Sequence, residues 1–430
     1  MPRRRAVLGI VLLCAAGPLT GQSPGAAINQ LFTFGTCGQP LCLDLAPDTV
    51  GVNHGTHFIH ALETSGGTVI SFLTSAIGFS VSNTPITSAS GGTTFRFEGG
   101  VPVQTSTSAG PIFGERAQTL GRGRWFVGAG VSQVRYERLR GVGLNNIVFN
   151  FRHENRPPLD TVGVPGFERD FIQMKLDLAV NLLVTSVTAA YGLTDGIDFG
   201  VSIPFVRTSV SGRSTAEIFL VGNDSLHRFG GDSANPVLSA STQAAGVATG
   251  LGDVEGHLKI RLTQGERLAI AVLASARLPT GKEEDMLGSG AFSARGLGIV
   301  SARLGNFNPH GYVGYTVRSG TTQTNSFEAD VGFDNLLAPW ATMAFDVLGS
   351  WQVGASKIDV PPPVVYNAPF PYTLQVTNIP SQRDNFLSAS FGFKFRTRRG
   401  IQIVTNAVLP LLDAGLLPQV TWTGGLEYSF

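Results

Sequence analysis

Three histidines spaced by three, His54, His57 and His60, are followed by Glu63 and make up three of the seven histidines in this 430-residue chain. On a helix, steps of three spread the rings over about 120°, so one metal ion could take two of them. Zinc would still want further donors and a firm hydrogen-bonded surround; the plainer reading is an ordinary polar segment. Glu283, Glu284 and Asp285 follow Pro279-Thr280-Gly281-Lys282 and offer clustered carboxylates to a hard cation such as calcium. Their plainer reading is a solvated loop. Both sets stand as candidate solute or cation contacts. Gly121-Arg122-Gly123-Arg124, with Arg116 nearby, is a basic cluster for phosphate or an anionic solute, or a solvated flank of a strand.

Catalytic patterns are missing. No Gly-x-Gly-x-x-Gly leads from a strand into a helix, and no phosphate-binding Walker loop or Gly-x-Ser-x-Gly elbow occurs. None of the histidines has serine two residues on, as a His-x-Ser hydrolase pair would need. His257 and His310 are the residues a hydrolase reading would have to use. The expectation is no enzyme, no cofactor and no assigned metal.

The elements that must carry these residues follow from composition and from the two ends. Charged residues are only 14% of the chain, glycine reaches 54 residues, and the formal charge is +1. That charge leaves no basic excess for a nucleic-acid partner. Arg3, Arg4 and Arg5 precede the apolar run Ala6 to Ala16, which is flanked as an export signal should be and is too short to span a bilayer. Residues 1–22 are therefore expected to be a signal peptide. Removing it takes Cys14 away and leaves Cys37 and Cys42, an even pair that suggests a local disulfide in an oxidising compartment. Low charge without a second long apolar run leaves a closed barrel as the membrane solution.

At the C-terminus Val420, Trp422, Gly424, Leu426, Tyr428 and Phe430 share one face, while Thr421, Thr423, Gly425, Glu427 and Ser429 share the other. This period of two, about eleven residues long, fits a tilted membrane strand with lipid on one side and a wet lumen on the other. It is similar to the closing strand of outer-membrane barrels, which assembly machinery recognises in that family; Trp422, Leu426, Tyr428 and Phe430 are the candidate signal. If Phe430 ends in the periplasm, parity assigns every earlier turn. Short turns near 397–400, 337–339, 305–306, 263–266 and 194–196 fall inside, and long segments at 410–418, 355–383, 280–290 and 211–249 fall outside, as outer-membrane barrels require. Strands near 144–153, 124–136 and 93–105 complete the set. The expectation is an all-β, transmembrane antiparallel β-barrel of about 14 strands, within a range of 12–16. Residues 23–90 form a pre-barrel segment able to plug the lumen, and residues 91–430 form the barrel, in the bacterial outer membrane. Sparse charges within strands (Lys175, Asp177, Arg277, Arg303, Glu328, Asp330, Lys394 and Arg396) are read as solvating the lumen.

Ala190-Tyr191-Gly192-Leu193-Thr194-Asp195, Ile197-Asp198-Phe199-Gly200-Val201-Ser202-Ile203-Pro204, Gly250-Leu251-Gly252-Asp253-Val254 and Leu278-Pro279-Thr280-Gly281 succeed one another along about a quarter of the chain. This succession resembles the outer-membrane family named for the meta-cleavage pathway of phenol degradation, itself related to the fatty-acid and toluene channels. The resemblance implies a barrel of 12 to 16 strands that takes up hydrophobic compounds. The expected function is passive passage of small, hydrophobic molecules, with outer-membrane lipid, lipopolysaccharide and the barrel-assembly machinery as partners. The alternative is a structural or adhesive surface protein that conducts nothing.

Overall fold

The computed structural model describes residues 22–34, 40–43, 58, 67–82, 95–98, 101–104 and 108–430, the last with gaps at 154–169, 221–226, 233, 266, 321–322, 358–359, 361 and 367–370. Twelve antiparallel strands close into a ring: β1 (Trp125–Leu139), β2 (Phe171–Thr194), β3 (Ile197–Phe219), β4 (Val254–Gln264), β5 (Leu268–Leu278), β6 (Ser293–Ala302), β7 (Phe307–Arg318), β8 (Ser326–Ala338), β9 (Ala341–Gln352), β10 (Phe386–Arg396), β11 (Gln402–Pro410) and β12 (Thr421–Ser429). Each pairs with the next, and β12 closes on β1 from Trp422↔Gln133 to Ser429↔Phe126. Trp125 and Phe430 exchange both backbone hydrogen bonds at the seam. The tight connections 194–197, 264–268, 302–307, 338–341 and 396–402 all lie at the end of the ring where Phe430 ends. Glycine at positive φ makes two of these reversals possible, Gly305 (71°) and Gly400 (82°). The parity reading holds for these turns and fails for the segment 124–136, which a count of fourteen sends down and which runs up beside β12.

The ring has twelve strands, and the expected fourteen is corrected at two places. The segment near 93–105 is a small hairpin, Phe95–Glu98 paired with Val101–Gln104 and with no ring strand. The segment near 144–153 is a strand, Ile147–Arg152, but among the ring strands it pairs only with the outer part of β2. Three more strands lie in the same sheet outside the ring: Val142–Gly143 and Leu416–Pro418 against β1, and Ser239–Leu251 against β3. Half of the segment expected to loop from 211 to 249 is therefore hairpin.

These outer strands exist because β2 and β3 are too long for a membrane. They run for 24 and 23 residues, against about 9–11 needed to span. Along β2 the outward face reads Tyr191, Ala189, Val187, Thr185 and Leu183, then turns polar at Asn181, Ala179, Asp177, Lys175 and Gln173. The inward face changes the other way, from Ala190, Thr188 and Ser186 to Val184, Leu182, Val180, Leu178, Leu176, Met174 and Ile172, all buried. On β3 the outward switch falls between Phe205 and Arg207, and Arg207 pairs with Leu183. Both strands thus reverse polarity at one level. Below it the outside is lipid and the inside wet; above it the outside is water and the inside apolar. The dozen residues beyond that level carry the sheet roughly 30 Å past the membrane face at about 3.3 Å per residue and the tilt of a barrel strand.

Helix α1 (Pro24–Gln30) packs on that apolar inner face. Ser23 caps it by accepting from Ala26 N, and Pro24 fits the first turn, where no backbone donor is needed. Ile28, Leu31 and Phe32 join Phe149, Phe151, Leu176, Leu178 and Val210 in the largest buried cluster. The Leu31 carbonyl accepts from Ser214 Oγ on β3, and Val247 N donates to Gln22 O at 3.0 Å. Helix α2 (Gly67–Ser82) adds Phe72, Leu73, Ala76 and Ile77 to the same cluster. No helix among the described residues is long and apolar enough to cross a membrane.

Candidate functional site in the barrel lumen

Before entering β1 the chain threads the lumen from Ser108 to Gly121, and the wall strands hold it by side chain. Ser108 Oγ donates to Asp334 on β8. Ala109 N donates to Thr342 Oγ1 at 3.1 Å on β9, and Ala117 N to Ser301 Oγ at 2.8 Å on β6. Lys259 on β4 reaches Glu115 at 3.0 Å and the Arg116 carbonyl at 3.2 Å. Leu120 N donates to Asp198 Oδ2 at 2.8 Å, and Thr119 Oγ1 to Asp195 O at 2.7 Å. Asp334, Thr342, Ser301, Lys259 and Asp198 alternate with lipid-facing residues along their strands, so the barrel's period of two aims them inward, while Asp195 offers its backbone from a turn. Arg116 is buried here, apart from the exposed Arg122, so the expected basic cluster does not assemble as one patch.

Above this strap lies a cavity of about 260 Å³. Ala76 and Phe79 of α2 face it from above, and Phe113 and Glu115 of the strap from below. One wall is apolar, with Val134, Tyr136, Leu348 and Val408. The opposite wall is a ladder of ion pairs on β4 to β8. Arg277 meets Glu255 at 2.8 Å, Arg295 meets Glu255 at 3.1 Å and Glu328 at 3.7 Å, and Arg318 meets Glu328 at 3.9 Å. Thr316 Oγ1 also donates to Glu328. Three guanidinium groups and two carboxylates thus fill one side of a lumen that apolar carbon fills on the other. Arg318 also lies over the Phe79 ring, 5.8 Å from its centroid, and ties the ladder to α2. Such a chamber suits a solute with an apolar body and a polar edge.

Of the residues singled out in the sequence, His54, His57 and His60 lie outside the described residues. Phe58 between them is buried and meets the rings of His153 and His227 edge-on, at 5.6 and 5.3 Å. Glu283 and Glu284 are exposed, and Asp285 is half-buried, 3.9 Å from Lys282. The loop that carries them turns inward directly afterwards, burying Met286 and Leu287 under α1 and β3; Thr208 Oγ1 donates to Met286 O at 2.7 Å. Cys42 is buried, and Cys37 lies outside the described residues. Trp422, Leu426, Tyr428 and Phe430 all point outward, Trp422 with 63% of its surface exposed. Of the strand charges, Arg277, Glu328, Asp330 and Lys394 face the lumen as expected, whereas Lys175 and Asp177 face outward above the membrane level. Sequence reasoning missed the strap and Arg295 and Arg318 of the ladder. Arg-x-Leu-x-Ile in β6 and Thr-x-Arg in β7 did carry the alternation that puts these arginines inside.

No protein family and no curated relative matches the chain. Among solved structures, it is similar to an outer-membrane channel from Pseudomonas putida F1, with 12% identity over 73% of this chain and 98% of that one and a TM-score of 0.42. The TodX deltaS2S3 mutant monoaromatic hydrocarbon channel matches with 10% identity over 73% and 91% and a TM-score of 0.33. A Pseudomonas aeruginosa FadL homologue matches with 10% identity over 71% and 89% and a TM-score of 0.32. Likenesses this distant bring no solute to the chain, and the resemblance to the phenol meta-pathway family stays an expectation. Location rests on the architecture itself. A closed antiparallel ring with an apolar outward band, short turns at one end and long excursions at the other is a bacterial outer-membrane β-barrel.

Proposed function

We propose that this chain is a plugged outer-membrane channel for the passive passage of small, mainly hydrophobic molecules. The observation that carries the reading is the 260 Å³ cavity bounded by α2 and the strap, apolar on one side and lined by the arginine ladder on the other. An apolar cavity of about 150 Å³ takes up benzene, so a substituted ring or a short chain with one polar group is the fitting size class. A wide water-filled pore does not fit, because helix, strap and side chains occupy the lumen. Residues 23–90 act as the plug from above and Ser108–Gly121 as the constriction below. The finer expectations belong to the same proposal: residues 1–22 direct export, Cys37 and Cys42 form a local disulfide, and the aromatic face of β12 addresses the assembly machinery. Arg207, outward at the membrane level, meets lipopolysaccharide phosphates.

Planar-bilayer conductance, beside uptake of an apolar fluorescent dye into vesicles, tests this. The full chain is expected to conduct little and to pass dye; Ser275→Trp, placed in the cavity wall, stops dye without unfolding the barrel. Removing residues 23–90 raises conductance. A steady large conductance of the full chain would make it an open porin. Silence together with no dye transfer would favour the structural or adhesive reading.

A further inference from the structure

Near the periplasmic end of the lumen, three adjacent strands bring a histidine and three aspartates to one spot away from the cavity. In the register of β7, β8 and β9, His310 pairs with Gly332 and Gly332 with Asp346. Gly332 has no side chain, so His310 and Asp346 close over it, with Nε2 2.8 Å from Asp346 Oδ1. Asp330 stands two residues along β8 on the same face, and the donor atoms of His310, Asp330 and Asp346 all lie within 4.8 Å of one another. Among the described residues this is the set of His, Cys, Asp and Glu donors that converges in this way.

Two further observations point to a ligand. Both carboxylate oxygens of Asp330 and Oδ2 of Asp346 are buried without a hydrogen-bond partner, in side chains of residues only 6% and 0% exposed. Buried carboxylate oxygens are otherwise paired, because leaving them unpaired is costly. The second is in the strap. A Cβ on Gly114 would stand 2.5 Å from Asp346 Oδ1, 2.7 Å from His310 Nε2 and 3.1 Å from Asp330 Oδ1. The three donors therefore converge beside Gly114, and any side chain on the strap at this position would push into them. On its far side His310 is oriented as metal-ligating histidines are, with Nδ1 3.3 Å from Asn308 O and 3.6 Å from Asp334 Oδ1. Asp334 is itself fixed by Asn308 Nδ2 at 3.0 Å and by Ser108.

We propose that His310, Asp330 and Asp346 form a binding site for a divalent transition-metal ion of the zinc class. One imidazole nitrogen with two carboxylates, and water in the remaining position, is a donor set for zinc or cobalt; calcium and magnesium take oxygen donors. The ion neutralises the carboxylates and fastens the strap, because the same cluster holds Ser108 through Asp334 and packs under Gly114. The site is independent of which solute the channel passes.

Calorimetric Zn²⁺ titration of the full chain folded in micelles and stripped with EDTA tests the site, beside Co²⁺ absorption as a spectroscopic reading. His54→Ala/His57→Ala/His60→Ala serves as the background, so that the local histidine run contributes nothing. One ion per chain is expected, bound more tightly than Ca²⁺, with a Co²⁺ visible band shaped by a nitrogen donor. Asp330→Asn and His310→Ala lower affinity at least 100-fold, and Asp334→Asn lowers it 10- to 100-fold through the histidine. Gly114→Ala blocks the site while all wall donors remain, which separates lost ligation from lost folding; gel mobility of the unheated barrel checks folding in each. Binding unaffected by Asp330→Asn, tighter binding of Ca²⁺, or no binding to the background protein would overturn the proposal. In the last case the cluster is held by shared protons alone.

Discussion

The polarity reversal on β2 and β3 fixes where the membrane ends, and one pair of substitutions tests it. Val187 and Ala179 are both outward residues of β2, eight positions apart. Leu183, paired with Arg207, marks the switch between them. Four residues at about 3.3 Å, tilted by some 40°, place Val187 about 10 Å below that level and Ala179 about 10 Å above it. The apolar band of such barrels is about 25 Å tall, so Val187 lies near the midplane and Ala179 in water. Val187→Arg is expected to cost about 2–4 kcal/mol and Ala179→Arg less than about 0.5 kcal/mol. Urea unfolding of the barrel in lipid vesicles, followed by tryptophan fluorescence, reads both. At about 1.4 kcal/mol per tenfold, the first shifts the folding equilibrium by roughly 30- to 1000-fold. Equal costs for the two arginines, or a larger cost for Ala179→Arg, would refute the placement. The outer halves of β2 and β3 would then be lipid-facing wall.

The remaining predictions concern what lies inside. Lys394 Nζ meets Glu427 at 2.9 and 3.1 Å between β10 and β12, with both side chains buried. Lys394→Met strands the carboxylate and should lower the urea-unfolding free energy by about 3–5 kcal/mol, while Lys394→Met/Glu427→Leu returns most of it; a single variant as stable as the parent would show that the pair is solvated. Gly192→Ala would place a Cβ 1.9 Å from Gly121 O, where the strap bends into β1. It is expected to cost about 1–3 kcal/mol and to open Arg122 and Arg124 to trypsin, and an unchanged digest would mean that the bend does not depend on this contact.

The ring was legible because every one of its strands alternates and because turns and loops sort to opposite ends. The outer sheet was not, and the reason is physical. A period of two says that the faces of a strand differ, but not which face meets lipid. Along β2 the run Phe171–Leu182 alternates as cleanly as Leu183–Tyr191 with the roles of the faces exchanged. Strand Ser239–Leu251 escaped for a different cause: its Ser, Thr, Ala and Gly residues read as loop, and they work as strand because β3 offers an edge and α1 packs on the other side. Helix α2 carries no charged residue, and among its described residues the exposed side is only Ser71, Thr74 and Ser75, which read as loop as readily as helix. The candidate metal site shows the limit most sharply. His54, His57 and His60 stood out because they are neighbours in the chain, whereas His310, Asp330 and Asp346 meet only through the register of three strands and the bare Gly332 between them.

That same register constrains how a solute would travel under the proposed function. Above the membrane level the inner wall is Leu, Ile, Val and Phe packed around α1, which selects for apolar surface and excludes ions. Below it the wall of β4 to β8 presents guanidinium and carboxylate groups already bonded to one another. An anion entering that ladder would have to displace Glu255 or Glu328 from arginine, whereas a neutral polar group could share hydrogen bonds without breaking a pair. The order of the two walls therefore favours an apolar molecule with a neutral polar end over a carboxylate or a sugar. Replacing Glu255 and Glu328 by glutamine would free the arginines and should shift the preference of the uptake assay toward carboxylates. An unchanged preference would mean that selection is complete at the apolar wall, before the ladder is reached.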